Sequence, residues 1–333
     1  MNRRTFLAAI AVTNAAPAAA RRTSMGITPA TFPAHRKNMA HEMVEFCAEL
    51  GVGGCQASLA SLEPDYARKI RRRKEELGLY LEIQTRLAGD DPAQFEQTVK
   101  MAKEAGATSL RAVCLGGRRY ETFSTLGEWN AAVADYRRRI ARSVPIVDKH
   151  RLPLGLENHK DWTVDQQAAL LKEYSSEYFR VCLDTGNNIS LLDDPMEVIE
   201  KLAPFTVNTH IKDMGVEEYQ DGFLLSEVPF GDGLMDMKRV VDIIRQAQPK
   251  VHLSLEMITR DPLEVPCLTE KYWATFPDRN GIYLARTLRM VRANKPRKPL
   301  PRTDGLDEAG RKRLELDHVE RCIEYARKHL GLV

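Results

Sequence analysis

Two glutamates, an aspartate and a histidine each close a short apolar run. Glu157 ends LPLGLE, Asp184 ends FRVCLD, His210 ends VNTH and Glu256 ends HLSLE. Three carboxylates and one imidazole form an oxygen-rich donor set with a single nitrogen. Such a set suits one divalent cation, Mn²⁺ first, with Mg²⁺, Co²⁺, Zn²⁺ or Fe²⁺ as alternatives. Four protein ligands leave two positions open on a six-coordinate ion, enough for two adjacent oxygens of a polyol or hydroxy-ketone. The ion would act as a Lewis acid on the enediolate formed when a carbon-bound proton leaves. A base must remove that proton and an acid must return one, and Glu157 and Glu256 are the natural pair. Taken singly, each residue has a plainer reading as a solvated or helix-capping charge at a strand end. The joint pattern outweighs that reading.

The gaps between the four are 27, 26 and 46 residues. A strand, a helix and two loops use about that length in a barrel of eight strand–helix units and roughly 250 residues. Such barrels keep their chemistry at the C-terminal ends of the strands, so the four would meet at one mouth. The rest of the chain alternates in the same way. Strands are expected at 26–28, 53–57, 79–85 and 110–115. Helices are expected at 40–50, 66–77, 94–105, 126–149, 164–173, 195–202, 237–246 and 281–293. The expected fold is therefore α/β, a (β/α)8 barrel over residues 22–293 with a C-terminal extension, 294–333. That extension is a Lys/Pro-rich connector followed by a charged helix at 307–330. Strand parity agrees: with the four ligands inward, Gly155, Cys182, Asn208 and Ser254 share their face, and the opposite face is mainly apolar. Residues 259–280 form a long irregular piece that reads equally as a lid or as a structural cap.

The chain has 333 residues, 43% hydrophobic and 29% charged, which is ordinary for a soluble globular protein. A net charge of +3 is too balanced to point to nucleic acid. The RRRK run at Arg71–Lys74 reads as a solvated helix face. Six cysteines without a CxxC pair argue against a cysteine-rich zinc module. Residues 1–21 have the layout of an export signal. Arg3-Arg4 precedes Phe6-Leu7, a weakly apolar stretch follows, and Ala18-Ala19-Ala20 supplies a cleavage point. The paired arginines are of the twin-arginine type and predict a periplasmic mature protein. No other stretch reaches the ~20 apolar residues needed to span a bilayer.

The elements LENH (Leu156–His159), LDTGN (Leu183–Asn187), HIKD (His210–Asp213) and LSLE (Leu253–Glu256) resemble the xylose isomerase-like TIM barrel superfamily. Within it they are most similar to the sugar phosphate isomerase/epimerase branch. The resemblance extends at fold level over residues 24–292 and is specific at those four motifs. It implies metal ligation by Glu157, Asp184, His210 and Glu256, with the two glutamates as acid and base. VPFGDG (Val228–Gly233) is similar to a glycine-rich loop after strand seven in that branch. The chain departs from the ketose 3-epimerases at Asn187, where they usually carry His, and at Thr163, where they often carry Glu. Asn158-His159 looks more like inosose dehydratase.

Substrate contacts are expected from His159, Lys212, Asn187, Gln56 and Arg86. His159 could donate a hydrogen bond or shuttle a proton. Lys212 shares the inward parity of His210. Arg86 and Arg118 lie just past strands three and four, where a surface role competes. The leading expectation is a metal-dependent isomerase or epimerase of a sugar or keto-sugar, working through a metal-stabilised enediolate. The alternative is a lyase on the same chemistry, either a dehydratase or a keto-glycoside eliminase or hydrolase. A phosphodiesterase of the endonuclease IV type would need several more histidines at strand ends. A non-catalytic sugar-binding barrel leaves the two opposed glutamates unexplained. The expected partner is a small carbohydrate, with no nucleic acid and no membrane span, and homo-oligomerisation is anticipated.

Overall fold

A computed structural model of the protein describes residues 23–333, so the signal-like segment 1–21 lies outside the described residues. The barrel strands are β1 (Gly26–Ile27), β2 (Gly54–Ala57), β3 (Tyr80–Gln84), β4 (Ser109–Ala112), β5 (Leu154–Glu157), β6 (Phe179–Asp184) and β7 (Thr206–His210). After a hairpin of β8 (Asp213–Tyr219) and β9 (Gly222–Val228) comes the last barrel strand, β10 (Ser254–Leu255). The eight are parallel in the order β10-β1-β2-β3-β4-β5-β6-β7. Ile211 closes the ring: its N–H donates to the Ser254 carbonyl at 2.8 Å, and its carbonyl accepts from Glu256 at 3.0 Å. The chain is thus the (β/α)8 TIM barrel that the alternation predicts.

Helices α1 (Ala40–Leu50), α2 (Pro64–Glu76), α3 (Pro92–Glu104), short α4 (Arg119–Thr122), α5 (Leu126–His150), α6 (Val164–Tyr174), α7 (Pro195–Leu202) and α8 (Met237–Ala247) follow their strands. Short α9 (Glu270–Trp273), then α10 (Gly281–Ala293) and α11 (Glu308–His329), complete the chain. Their starts are set by local chemistry. Asp91 and Asp194 accept backbone N–H groups ahead of Pro92 and Pro195. Thr125 with Glu128, and Thr163 with Gln166, form reciprocal capping boxes. Thr163 is therefore a helix cap. Outward strand residues such as Leu81, Ile83, Leu110, Leu156 and Val181 are fully buried against helix residues such as Val99, Ile140 and Val240. Each such side chain contributes roughly 1.5–3 kcal/mol of burial.

The barrel interior is different. Its floor is filled by Tyr80, whose hydroxyl meets Ser254 Oγ at 2.9 Å. The ring lies so close to β1 and β2 that a Cβ at Gly26 would fall 2.0 Å from the Tyr80 hydroxyl. One level up, the Asn208 amide donates to Ser109 Oγ and to the Leu110 carbonyl, both at 2.9 Å. It does so across Gly155, where a Cβ would come 2.2 Å from Asn208 Oδ1. Tyr80, small residues and the Asn208 amide thus plug the lower barrel.

Two features differ from the sequence reading. First, residues 213–228, to which the sequence reading assigns no strand or helix, form the hairpin β8–β9, joined by Gln220 and Asp221. The Asp221-Gly222 pair beside alternating Val216, Phe223 and Leu225 is the local hairpin signal. Second, residues 259–280 contain β11 (Leu263–Val265), which extends the hairpin into an antiparallel sheet ordered β11-β9-β8. This sheet has its own apolar core of Val216, Phe223, Leu225, Val265, Tyr272 and Phe276. Buried Arg119 ties it to the barrel. Its guanidinium donates to the Thr275 carbonyl, to Thr275 Oγ1 at 3.1 Å and to the Asp161 carbonyl at 3.2 Å. It also lies 3.9 Å from the Trp129 ring and 4.2 Å from that of Phe276. The segment is therefore ordered and packed, with a strand and an apolar core of its own.

Helix α11 packs onto the barrel through buried Glu315, which accepts from Ala34 N and pairs with His35 Nδ1, both at 2.7 Å. The RRRK run lies on α2, where Arg71 and Arg73 pair with Glu75, Glu76 and Glu45 at the surface. No helix among the described residues is long and apolar enough to cross a membrane.

Candidate metal centre

Glu157, Asp184 and His210 are the last residues of β5, β6 and β7, and Glu256 follows the last residue of β10. Period-two alternation turns all four inward at the same end of the barrel. One ligand atom from each lies within 4.8 Å of the others, and all four residues are buried. Metal–oxygen and metal–nitrogen bonds of about 2.1 Å set ligand atoms ~3–4 Å apart, so the spacing suits one cation.

The imidazole gives the sharpest test. Its Nε2 meets Gln56 Oε1 at 2.8 Å, and Gln56 Nε2 donates to Glu82 Oε2 at 3.0 Å. That polarity puts a proton on Nε2. Nδ1 then faces Glu256 Oε1 at 3.2 Å and Glu157 Oε1 at 3.4 Å, with Asp184 Oδ2 at 3.9 Å; burial disfavours a charged ring, but Cys182, Glu256 and Glu157 together raise its pKa well above normal. Nδ1 is buried and has no hydrogen-bond partner. A ring nitrogen facing three carboxylates calls for positive charge at their centre, which a proton on the ring supplies in the cation-free protein and a divalent ion would supply when bound. The residues present fit the group.

Other side chains fix the carboxylates. Arg111 grips Glu157, with its Nε 2.6 Å from Oε2 and an Nη on the same oxygen. Asn187 Nδ2 donates to Glu157 Oε1 at 3.0 Å. Burial pushes the Glu157 carboxyl up, but Arg111 and His210 overcome it and hold it well below the usual range. Asp184 Oδ1 accepts from Gly186 N at 2.8 Å and Asn187 N at 2.7 Å, which sets the turn after β6. Asn158 locks that turn from β5, donating to the Asp184 carbonyl and accepting from its N–H, both at 2.8 Å. Lys212 Nζ reaches Glu256 Oε2 at 2.5 Å and Asp184 Oδ2 at 2.7 Å. Burial raises the Glu256 carboxyl, while Lys212 and His210 lower it further, to a net value well below normal. From the hairpin, buried Glu227 takes a forked bond from Arg260 at 2.7 and 3.2 Å and faces Lys212 at 3.8 Å.

The remaining residues named from sequence are placed unevenly. Lys212 and Asn187 are buried within the centre. His159 is half-buried, and its Nδ1 has no partner. Gln56 is fully buried, with its amide committed to His210 and Glu82, so it orients a ligand and is not turned to substrate. Arg86 is exposed, which places it away from the buried centre, and Arg118 pairs with Glu121 at 2.5 Å on the surface. Sequence reasoning missed Arg111, Lys160, Glu227, Arg260 and Glu82. For Arg111 and Glu82 a signal existed, a charge at an inward position of SLRA and YLEIQ. Gln56→Leu is expected to weaken divalent-cation affinity by about 10- to 100-fold, because an outer partner that aims a ligand histidine commonly contributes that much. Titration of the cation-free protein by calorimetry reads this, and unchanged affinity would contradict the orienting role.

Comparisons with known proteins agree with this fold. A family model described as a xylose isomerase-like TIM barrel matches residues 44–275. The 3-oxo-isoapionate decarboxylase of Pectobacterium atrosepticum is 28% identical over 241 residues, covering 69% of this chain and 82% of that one. A xylose isomerase-like TIM barrel protein from Mycobacterium smegmatis, solved in complex with magnesium, superimposes with a TM-score of 0.55 at 16% identity. It covers 80% of this chain and 98% of its own. A probable 3-DHS dehydratase from Bacillus anthracis gives a TM-score of 0.54 at 17% identity, covering 71% and 93%. At these identities the solved structures speak to the fold.

Proposed function

Because the chain belongs to the xylose isomerase-like TIM barrel family, we propose that it is a divalent-metal-dependent enzyme of keto-sugars that works through an enediolate. One observation carries this reading: four buried ligand atoms from four strands lie within 4.8 Å of one another. Glu157, Asp184, His210 and Glu256 would hold the cation, Mn²⁺ first. When bound, it supplies Lewis-acid stabilisation to negative charge developing on a substrate carbonyl oxygen.

The chain's own residues divide the remaining work. Arg111 cannot give up its proton, so it keeps Glu157 ionised and weakly basic. Glu256 is likewise held ionised, by Lys212 and His210, but its partner on Oε2 is a single ammonium and not a forked guanidinium, and it is the candidate to take a proton from the carbon beside the carbonyl. Lys212 donates a hydrogen bond on the same side, and buried Asn187 links it to Glu157. The cap formed by β8, β9 and β11 keeps bulk water from the intermediate. Returning the proton to the neighbouring carbon or to the opposite face gives isomerisation or epimerisation.

A second reading is favoured by the 28% identical relative, which is named a decarboxylase. There the bond to a carboxyl group breaks, CO₂ leaves, and its electron pair forms the same enediolate, which is then protonated on carbon. The proposal includes export: the paired arginines of residues 1–21 would carry the folded, loaded enzyme out of the cytoplasm. The test uses metal-loaded protein in D₂O with ketoses, inososes, 3-keto-glycosides and 3-oxo sugar acids, followed by NMR. Deuterium entering an intact sugar supports isomerisation or epimerisation, and loss of a carboxyl, water or glycosyl group supports a lyase. Absence of both across the panel would overturn the enediolate reading.

A further inference from the structure

The Lys160 ammonium is misplaced for a purely structural charge. Lys160 lies three residues past Glu157, at the mouth, and is only 5% exposed. Its Nζ donates to Asn187 Oδ1, and Lys212 Nζ approaches the same oxygen at 3.3 Å. Two ammonium groups therefore converge on one amide oxygen inside the protein. Lys212 is compensated there, because Asp184 and Glu256 both contact it. Lys160 has no carboxylate in contact among the described residues. The carboxylate whose charge bears most on it, Glu227, is held by the forked bond from Arg260. Burial, with Lys212 and Arg260 adding repulsion, pushes the Lys160 pKa down to about 8.

A buried charge lacking a counter-ion costs several kcal/mol unless something offsets it. The surrounding carboxylates do not have charge to spare. Arg111, Lys212 and Arg260 neutralise Glu157, Asp184, Glu256 and Glu227 in part, and a divalent cation would draw on three of those four. With the cation seated, the mouth carries net positive charge on the Lys160 side. Beside Lys160 stands His159, with a buried Nδ1 that has no partner.

We infer that Lys160, assisted by His159, seats a carboxylate of the substrate, which makes the substrate class keto-sugar acids in preference to neutral keto-sugars. The inference rests on the metal-enzyme reading above and narrows it. Asn187 then bridges the ligand Glu157 to the anion seat and sets the spacing between the reacting carbon and the substrate's charged end.

The test compares C4–C6 aldonates with alditols of the same skeleton as ligands of the Mn²⁺-treated protein, by calorimetry, with metal content measured on the same samples. At least one aldonate is expected to bind about tenfold or more tighter than its alditol, the size of one charge-assisted hydrogen bond. Lys160→Met should erase that preference, and Lys160→Arg should retain it. Circular dichroism of both variants checks the fold, and the arginine variant keeps the test valid if the methionine variant unfolds. Equal affinities for acid and alditol, no binding of any acid, or an undiminished preference in folded Lys160→Met would overturn the anion seat. One cation per chain with equal affinities overturns the seat alone. Preference for acids without cation uptake supports the seat and overturns the metal reading.

Discussion

Glu256→Gln is expected to lower turnover by about 10²- to 10⁴-fold at saturating cation, the usual contribution of a positioned general base. The amide keeps the size of the carboxylate and one oxygen toward His210, so the loss should lie in kcat. Glu157 contrasts with it. Both Glu157 oxygens are engaged, by Arg111 and by Asn187. Glu157→Gln should therefore act first through cation affinity, with part of the activity returning as cation is added. Steady-state kinetics across a cation titration separates the two. Near-normal kcat in Glu256→Gln at saturating cation would remove that residue as the base and return the role to Glu157.

Arg111→Met is expected to destabilise the cation-free protein by about 3–5 kcal/mol, because it leaves a buried carboxylate without its partner. Glu157 is 1% exposed at its side chain and Arg111 17%, so water can replace little of the lost guanidinium. Adding cation should narrow the deficit, since an ion that binds the folded state alone shifts unfolding by mass action. Urea denaturation with and without Mn²⁺ reads both terms. A deficit under ~1 kcal/mol in the cation-free protein would mean that Arg111 is not the main counter-charge of Glu157.

The positions of the four candidate ligands were legible because two strict periodicities act on them. Strands alternate faces every residue, and each barrel unit brings the chain back to the same rim. LGLE, FRVCLD, TVNTH and SLE therefore carried both the direction and the end of the barrel. Arg111 and Glu82 obeyed the same parity, but each is one charge in an apolar strand, and partners such as Glu157 or Gln56 lie in other units. Glu227 and Arg260 were beyond a local reading. They meet at the centre only because β9 pairs with β8 on one side and with β11 on the other, and β11 lies far along the chain, beyond α8 and β10. Pairing over such a distance leaves no local periodic trace. Gln56 and Arg86 mark the opposite limit. Both lie at or just past strand ends on the correct rim, yet neighbouring His210 and Glu82 claim the first, and the second faces solvent. Proximity to the mouth in sequence does not decide which polar groups the centre itself consumes.

Metal content measured directly tests the central claim. Purified protein, stripped with chelator and reloaded with Mn²⁺, should hold one cation per chain by elemental analysis, and His210→Ala should hold much less under the same conditions. Full-length folded protein that binds no cation, or a His210→Ala variant with unchanged occupancy and affinity, would contradict it.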